Sequence, residues 1–309
     1  MPVERSSTSL LCASFATLYL VWGSSYAVTK TMVTHLPPFL AGGARFSVAG
    51  VLLVLVAWVR GAPPPLAPRE WRHFAVMGLL QVVLSAGLNM LAMRHVASSQ
   101  SALLNASGAL WIALFGAYGA RGYPLHARSA TGLGFGFVGV ALLVWSRTGF
   151  SLAELGWQLV IIVACCSWAL GTIYYRHVRT STPMLMFVGL EMLIGGVALA
   201  ASGLATGELP DFHLRGPSLA ALGFLIVFSS CFAYTAFGYL MRHTTPSRLA
   251  TYAYVNPAIA AVVGWAWLGE RLTPVQLAGT AVILVGVVLV SLPDAGPAAR
   301  DATPAEPPG

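Results

Sequence analysis

The chain has 309 residues, of which 57% are hydrophobic and only 9% are charged, with a formal net charge of +7. Soluble globular domains carry about 25% charged residues, so this composition excludes a water-soluble protein. Long apolar runs continue to residue 292, which favours a polytopic membrane protein over a soluble domain that follows a cleaved signal peptide.

Apolar segments long enough to cross a bilayer recur along the chain. A hydrocarbon core about 30 Å thick requires about 20 apolar residues per helix. We predict membrane spans at 10–29, 38–59, 73–93, 97–119, 128–146, 157–175, 183–204, 217–241, 246–268 and 274–292. Prolines near several span starts, such as Pro38, Pro183 and Pro274, suit a first helical turn. The sequence therefore predicts an all-α integral membrane protein with ten transmembrane helices.

Lysine and arginine are distributed unevenly between the two sides of these spans. With the N-terminus inside, the cytoplasmic segments hold eleven of them and the outer segments hold five, while Arg45 lies within a span. Cytoplasmic loops are enriched in these cations, so both termini are predicted to be cytoplasmic. Residues 1–9 form the cytoplasmic N-terminus, and the proline- and alanine-rich residues 293–309 form a disordered cytoplasmic tail.

The two halves of the chain share a sequence repeat. At an offset of 148, residues 93–119 align with residues 241–267, and each segment begins with Met-Arg-His. At an offset of 146, Trp22 aligns with Trp168.

The repeat has a topological consequence. Five spans per half is an odd number, so the second half must enter the membrane from the opposite side. We therefore predict inverted-topology five-helix repeats at 10–146 and 157–292. This architecture is typical of secondary transporters that hold their substrate between the two repeats.

Three motifs carry a family resemblance: WGSSYAVTK at 22–30, GARFSVAG at 43–50, and YVNPAIAAVVGWAWLGERLTPVQLAGTAVILVGVVLV at 254–290. Together with the duplicated halves, they resemble the EamA family of the drug/metabolite transporter superfamily. The resemblance implies a ten-helix inner-membrane exporter of amino acids, related metabolites or toxic compounds, without specifying one substrate. The first half departs from the motif of the second half, because Gly108, Ala109 and Tyr123 replace Asn256, Pro257 and Glu270.

Polar side chains within spans usually face a bundle interior or a watery cavity, because they are costly in lipid. Trp22 and Tyr26 share one helical face of the first span, and their repeat partners are Trp168 and Thr172. The two tryptophans are expected to form opposite walls of a central cavity. The candidate substrate-binding residues are Trp22, Ser25, Tyr26, Asn89, Asn105, Trp168, Thr172, Tyr234, Tyr252 and Asn256.

Structural roles are the alternative for many of these residues. Aromatic side chains also form membrane-interface belts, small residues such as Gly23 and Ser25 let helices approach closely, and amides bond to neighbouring helices. Lys30 is expected to snorkel to the outer interface. Glu270, at a short outer turn, is expected to cap or tie helices.

Two full charges, Arg45 and Glu191, lie inside predicted spans and are repeat partners at an offset of 146. Glu191 is the default candidate for proton coupling, with a structural carboxylate as the alternative. Arg45 is a candidate for attracting a carboxylate substrate or, alternatively, a structural clamp. A salt bridge between them is not implied, because about 8 Å of membrane depth separates their expected positions.

The predicted partners are a small-molecule substrate, the lipid bilayer and, as a candidate coupling ion, protons. Nucleic acid is not expected, and the oligomeric state is not predicted. No cofactor or metal is expected, because the four cysteines lack metal-type spacing and the seven histidines lie in loops or at span ends. An enzyme is therefore not expected. A phosphate carrier would favour several deep cations, and an importer remains an alternative because alternating access operates in either direction.

Overall fold

The computed structural model describes residues 8–65, 67–118, 127–145, 152–178, 180–244, 249 and 251–291. The main helices are α1 (Thr8–His35), α2 (Pro38–Val59), α3 (Pro68–Ala92), α4 (Ser98–Asn105), α5 (Gly108–Tyr118), α6 (Ala127–Trp145), α7 (Leu152–His177), α8 (Met184–Ala205), α9 (Gly216–Phe224 continued by Leu225–Ala233 and Tyr234–His243), α10 (Tyr252–Leu268) and α11 (Pro274–Ser291). Within the described ranges, six helices are long and apolar enough to cross a membrane, and three further helices are apolar but shorter.

The helices follow the predicted spans with two notable differences. Helix α1 continues to His35, beyond the predicted end at residue 29. The predicted span 97–119 is divided into α4 and α5, because the chain turns at residues 106 and 107. The predicted start at residue 246, the tail 293–309 and residues 1–7 of the N-terminal segment lie outside the described residues.

Two of the helices contain a π-helical stretch that the sequence did not predict. In α3 the stretch is Gly78–Gly87, and in α9 it is Leu225–Ala233. At the repeat offset of 146, residues 78–87 correspond to residues 224–233, so both stretches lie at equivalent positions in the two halves. π-Helical turns are rare and frequently occur at functional sites.

Glycines bring α2 and α8 into close antiparallel contact. A Cβ atom on Gly50 would lie 2.5 Å from the backbone nitrogen of Leu193, and one on Gly196 would lie 2.4 Å from that of Ser47. The repeat relates these two contacts to each other: at an offset of 146, Gly50 corresponds to Gly196 and Ser47 corresponds to Leu193. Small residues at this crossing therefore let the two backbones touch.

The contact between α6 and α11 is built in the same way. A Cβ atom on Gly139 would lie 2.7 Å from the carbonyl oxygen of Gly279, and one on Gly286 would lie 2.5 Å from that of Gly132. In addition, α1 packs on α9 and α10 of the other half, while α7 packs on α3 and α5. The first helix of each half is therefore surrounded by helices of the other half.

At both ends of the bundle, a carboxylate binds the chain at or just before the start of a helix. The near face of the bundle is the one at which α1 begins, and the far face is the one at which α1 ends. At the far face Glu208 accepts a hydrogen bond of 2.8 Å from the Leu40 backbone N–H at the start of α2. At the near face Glu70 accepts bonds from the Ser181 N–H (3.0 Å) and the Thr182 hydroxyl (2.8 Å), just before α8. Negative charge at a helix N-terminus is stabilising.

Two further charged residues at the far face also serve as helix caps. Glu270 accepts bonds from the backbone N–H groups of Ser98 (2.7 Å) and Ser99 (2.9 Å), which confirms the prediction that it caps a helix. Lys30, which was expected to snorkel to the outer interface, donates from its ammonium to the carbonyl oxygen of Met93 at 2.6 Å. The last carbonyls of a helix lack partners in their own helix, so Lys30 satisfies the end of α3.

Candidate functional site

A cavity of about 150 Å³ lies between the two halves, from the middle of the bundle towards the far face. It is lined mainly by α1, α3, α7, α9 and α10, together with Arg45 of α2 and the turn between α4 and α5. Nine of the ten candidate substrate-binding residues line it: Trp22, Ser25, Tyr26, Asn89, Asn105, Trp168, Tyr234, Tyr252 and Asn256. The structure therefore brings together residues that are spread over most of the chain.

An aromatic cluster forms the floor of this cavity. The Trp22 ring lies 5.8 Å from the Trp168 ring, 5.2 Å from those of Tyr234 and Phe237, and 5.8 Å from that of Tyr252, measured between centroids. The expectation that the two tryptophans form opposite walls is wrong, because their rings are in edge-to-face contact. The reason is the size of the two indole side chains, which meet across the gap between α1 and α7 while each helix packs mainly on other helices.

Apolar side chains continue the floor towards the near face. Leu18, Leu240 and Leu249 are buried and pack with Phe237 on the near side of Trp22. The Tyr19 hydroxyl, on the same side, is hydrogen-bonded to the Thr251 hydroxyl. The cavity is therefore separated from the near face by a layer of rings followed by a layer of leucines.

A second, much smaller hollow lies beside this floor in the near half of the bundle. It has a volume of about 20 Å³ and is lined by residues that include Gln81, Thr172, Tyr175, Glu191 and Tyr234. A volume of about 10–15 Å³ is needed to hold one water molecule, so this near compartment has room for little more. The candidate residue Thr172 lines the near compartment and not the cavity.

The repeat relates the cavity to the near compartment. At the offset of 146, Tyr26 and Arg45 of the cavity correspond to Thr172 and Glu191 of the near compartment. Tyr234 lines both hollows. Residues at equivalent repeat positions thus line a large hollow on one side of the aromatic cluster and a much smaller one on the other side.

Arg45 contributes a buried positive charge to the cavity wall. Its Nε donates to the Ser230 hydroxyl at 2.9 Å, and its Nη2 donates to the Ser229 hydroxyl at 3.0 Å. The guanidinium carbon also lies 4.6 Å from the centroid of the Phe46 ring. Both serines belong to the π-helical stretch of α9, so the altered turn of α9 supports this cation.

Glu191 is enclosed on the other side of Tyr234. Its side chain is only 3% exposed, and its Oε1 has no hydrogen-bond partner in the described part of the chain. Within the same ranges, no ion pair joins Glu191 to Arg45, whose guanidinium is held by serines. The two repeat-related charges therefore occupy separate hollows.

The amides of the cavity wall differ in how far they are satisfied. Asn89 Oδ1 accepts from the Ser101 hydroxyl at 2.9 Å, and Asn105 Nδ2 donates to the Ser101 carbonyl at 2.8 Å. Asn256 is 5% exposed, and its Oδ1 has no hydrogen-bond partner among the described residues. Asn256 is consequently the amide with a buried acceptor still to be satisfied.

Sequence reasoning missed several residues of the cavity wall. Ser85 and Ser229 line it from the π-helical stretches, and Gly108 lines it at the start of α5. The repeat contained a signal for Gly108, because this residue is the offset-148 partner of Asn256. The adjacent pair Ser229 and Ser230 within an apolar run was a further signal.

Comparisons with known proteins agree with this architecture. A family model described as the EamA-like transporter family matches residues 10–145 and 155–292. The uncharacterized inner membrane transporter YedA of Escherichia coli (strain K12) is 32% identical over 292 residues, which cover 93% of this chain and 92% of that protein. The uncharacterized transporter YvbV of Bacillus subtilis (strain 168) is 28% identical over 297 residues, which cover 94% of this chain and 93% of that protein.

Two more distant matches complete the picture. The S-adenosylmethionine/S-adenosylhomocysteine transporter of Chlamydia muridarum (strain MoPn / Nigg) is 23% identical over 280 residues, which cover 87% of this chain and 88% of that protein. A solved crystal structure superimposes with a TM-score of 0.66 at 19% identity, covering 92% of this chain and 98% of that chain. This last match demonstrates a shared fold.

Proposed function

The chain belongs to the EamA-like transporter family, and on that premise we propose that it exports small amphipathic metabolites, amino acids or related compounds, by alternating access. The observation that carries this proposal is the pair of repeat-related hollows on either side of the aromatic cluster. The cavity has about 150 Å³ and the near compartment about 20 Å³. Exchanging the conformations of the two halves would close the first hollow and open the second.

Inverted repeats are part of this proposal. Support comes from the antiparallel contact of α2 with α8, in which Gly50 and Gly196 have reciprocal neighbours. The π-helical stretches at equivalent positions in α3 and α9 provide independent support. In transporters of this architecture, rigid rocking of one repeat against the other exposes a fixed midplane site alternately to each side.

The proposed orientation places the near face in the cytoplasm, with both termini inside. The excess of arginine in the loops at the near face supports it. The cavity then lies on the outer side of the aromatic cluster, and a solute released from it leaves the cell. YedA is named as an inner membrane transporter, and we assign this chain to the same multi-pass location.

Proton coupling through Glu191 is the proposed energy source. A carboxylate that alternates between the enclosed position in the near compartment and contact with water can take up and release a proton in each cycle. Facilitated diffusion without a coupling ion is the alternative within the same function.

Other functions have less support. An importer would use the same two hollows with the gradients reversed. A carrier of phosphorylated sugars is less well supported, because Arg45 is the only lysine or arginine that the described part of the chain contributes to the wall of the cavity. The relatives above are named as transporters, which favours a carrier over a membrane-embedded enzyme.

Counterflow in liposomes tests the function directly. Purified protein would be reconstituted in vesicles loaded with pooled amino acids, nucleosides or aromatic cations, and uptake of the labelled pool would be measured with and without a pH gradient. We expect exchange of at least one pool, and stronger accumulation with the gradient. Absence of exchange for every pool, in protein shown to be folded, would overturn the proposal.

A further inference from the structure

The cavity contains a positive charge that no acidic side chain in the described ranges neutralises. Arg45 is 7% exposed, and its side-chain hydrogen bonds go to the neutral hydroxyls of Ser229 and Ser230. Among the described residues, no acidic side chain lines the cavity, and Glu191 lies in the near compartment beyond Tyr234. Buried charges are normally paired, because removing an ion from water is costly.

The geometry of Arg45 leaves one edge of the guanidinium available. The serines occupy Nε and one N–H of Nη2, which form the side edge of the group. The end edge, formed by Nη1 and the second N–H of Nη2, has no hydrogen-bond partner among the described residues. Two parallel N–H donors at this spacing match the two oxygens of a carboxylate.

Two other features of the cavity wall indicate which further chemical groups a ligand would need. Asn256 Oδ1 is a buried acceptor without a partner among the described residues, so it calls for an N–H or O–H donor. The rings of Trp22 and Trp168, in edge-to-face contact, present apolar surface to the same cavity. Aromatic faces of this kind favour a ring or an apolar chain.

We propose that the cavity binds a carboxylate-bearing amphipathic solute, whose carboxylate pairs with the end edge of Arg45 and whose apolar part lies on Trp22 and Trp168. A donor on the same solute bonds to Asn256 Oδ1. The proposal rests on the proposed transport function and narrows its substrate class, because it excludes aromatic cations and uncharged nucleosides.

A set of probes with the same ring isolates the carboxylate. Binding of 3-phenylpropionate, its amide and phenethylamine to the purified full-length protein would be measured by isothermal titration calorimetry. We expect the carboxylate to bind roughly 10- to 100-fold more tightly than the amide or the amine, the range of a charge-assisted hydrogen-bonded pair. Arg45→Gln should reduce its affinity to that of the amide, whereas Arg94→Gln, at an exposed position of the far face, should preserve the preference.

Two further variants protect the test against a failure of Arg45→Gln to fold. Ser230→Ala retains the charge but removes one support, and we expect a several-fold loss of 3-phenylpropionate affinity with little change for the amide. L-Phenylalanine adds an ammonium donor to the same skeleton, so it should bind several-fold more tightly than 3-phenylpropionate, and Asn256→Leu should remove that gain.

The outcomes separate this inference from the proposed function. Equal affinity for the three probes, or a carboxylate preference that Arg45→Gln leaves intact, would overturn the carboxylate site. Counterflow of aromatic cations or nucleosides alone would overturn it as well, while leaving the protein a transporter. Failure of every pool to exchange would instead overturn transport.

Discussion

The cavity and the near compartment are built from equivalent faces of the two repeats, yet they differ in volume and charge. One holds about 150 Å³ and the cation of Arg45, whereas the other holds about 20 Å³ and the carboxyl group of Glu191. Glycine contacts between α2 and α8 are reciprocal to within 0.1 Å, at 2.5 and 2.4 Å. The crossing of α2 and α8 is therefore nearly symmetric, whereas the side chains around Trp22 and Tyr234 enclose two different hollows.

This difference in charge indicates that the two hollows would have different roles in transport. A cation without an acidic partner suits a hollow that receives an anionic group, and an enclosed acid suits a hollow that exchanges a proton. The aromatic cluster separates them, so it has to loosen whenever the roles of the two sides are exchanged. Substitutions at three places test this division: in the cluster, in the near compartment, and at the carboxylates that bind near helix starts.

Trp22→Ala should have the largest effect, because it removes the ring that contacts Trp168, Tyr234, Phe237 and Tyr252. Loss of the stacking surface and of the separation between the two hollows should reduce counterflow roughly 10- to 100-fold. The protein should remain in the membrane at normal levels, measured by immunoblot.

Trp265→Ala is the matched control, since this ring is 66% exposed on the outside of the bundle. It should leave counterflow unchanged. If Trp22→Ala retained full activity, Trp22 would be a packing residue, and its ring would not be needed to separate the two hollows during transport.

Glu191→Gln should have an intermediate effect that is confined to coupling. One pH unit corresponds to about 1.4 kcal/mol, or up to about tenfold accumulation for one proton per solute. We expect this accumulation to disappear in the variant while counterflow without a gradient continues, because exchange of solute for solute needs no proton. Asp211→Asn, on the surface of the far face, should accumulate solute normally. Undiminished accumulation in Glu191→Gln would remove this residue from the mechanism.

Much of the scaffold could be predicted because the length of an apolar run shows whether it can span a membrane. Polar side chains within such runs mark the bundle interior, because they are costly in lipid. The candidate residues of the cavity were found in this way, with Thr172 as the exception. Thr172 was selected as the repeat partner of Tyr26, but the two hollows differ in this structure, so equivalent residues lie in different places. A repeat predicts equivalence between positions and does not predict which side of the molecule is open.

Hydrogen-bond register and long-range capping were beyond the sequence patterns. The π-helical stretches 78–87 and 225–233 and the turn at 106–107 lie in apolar runs that resemble uninterrupted helix. The partners of Glu70 are more than a hundred residues away in the chain.

The smallest expected effect concerns two carboxylates at opposite faces of the bundle, Glu70 at the near face and Glu208 at the far face. Glu70 accepts hydrogen bonds from Thr180, Ser181 and Thr182 at the near face, whereas Glu208 at the far face accepts from two backbone N–H groups at the start of α2. Glu70→Gln should therefore lower the free energy of unfolding by about 1–2 kcal/mol and Glu208→Gln by about 0.5–1 kcal/mol. Thermal unfolding of the purified variants, with Asp211→Asn as the reference, measures both. A larger loss of unfolding free energy for Glu208→Gln than for Glu70→Gln would contradict this prediction. It would mean that the far face, beside the cavity, is stabilised more strongly than the near face.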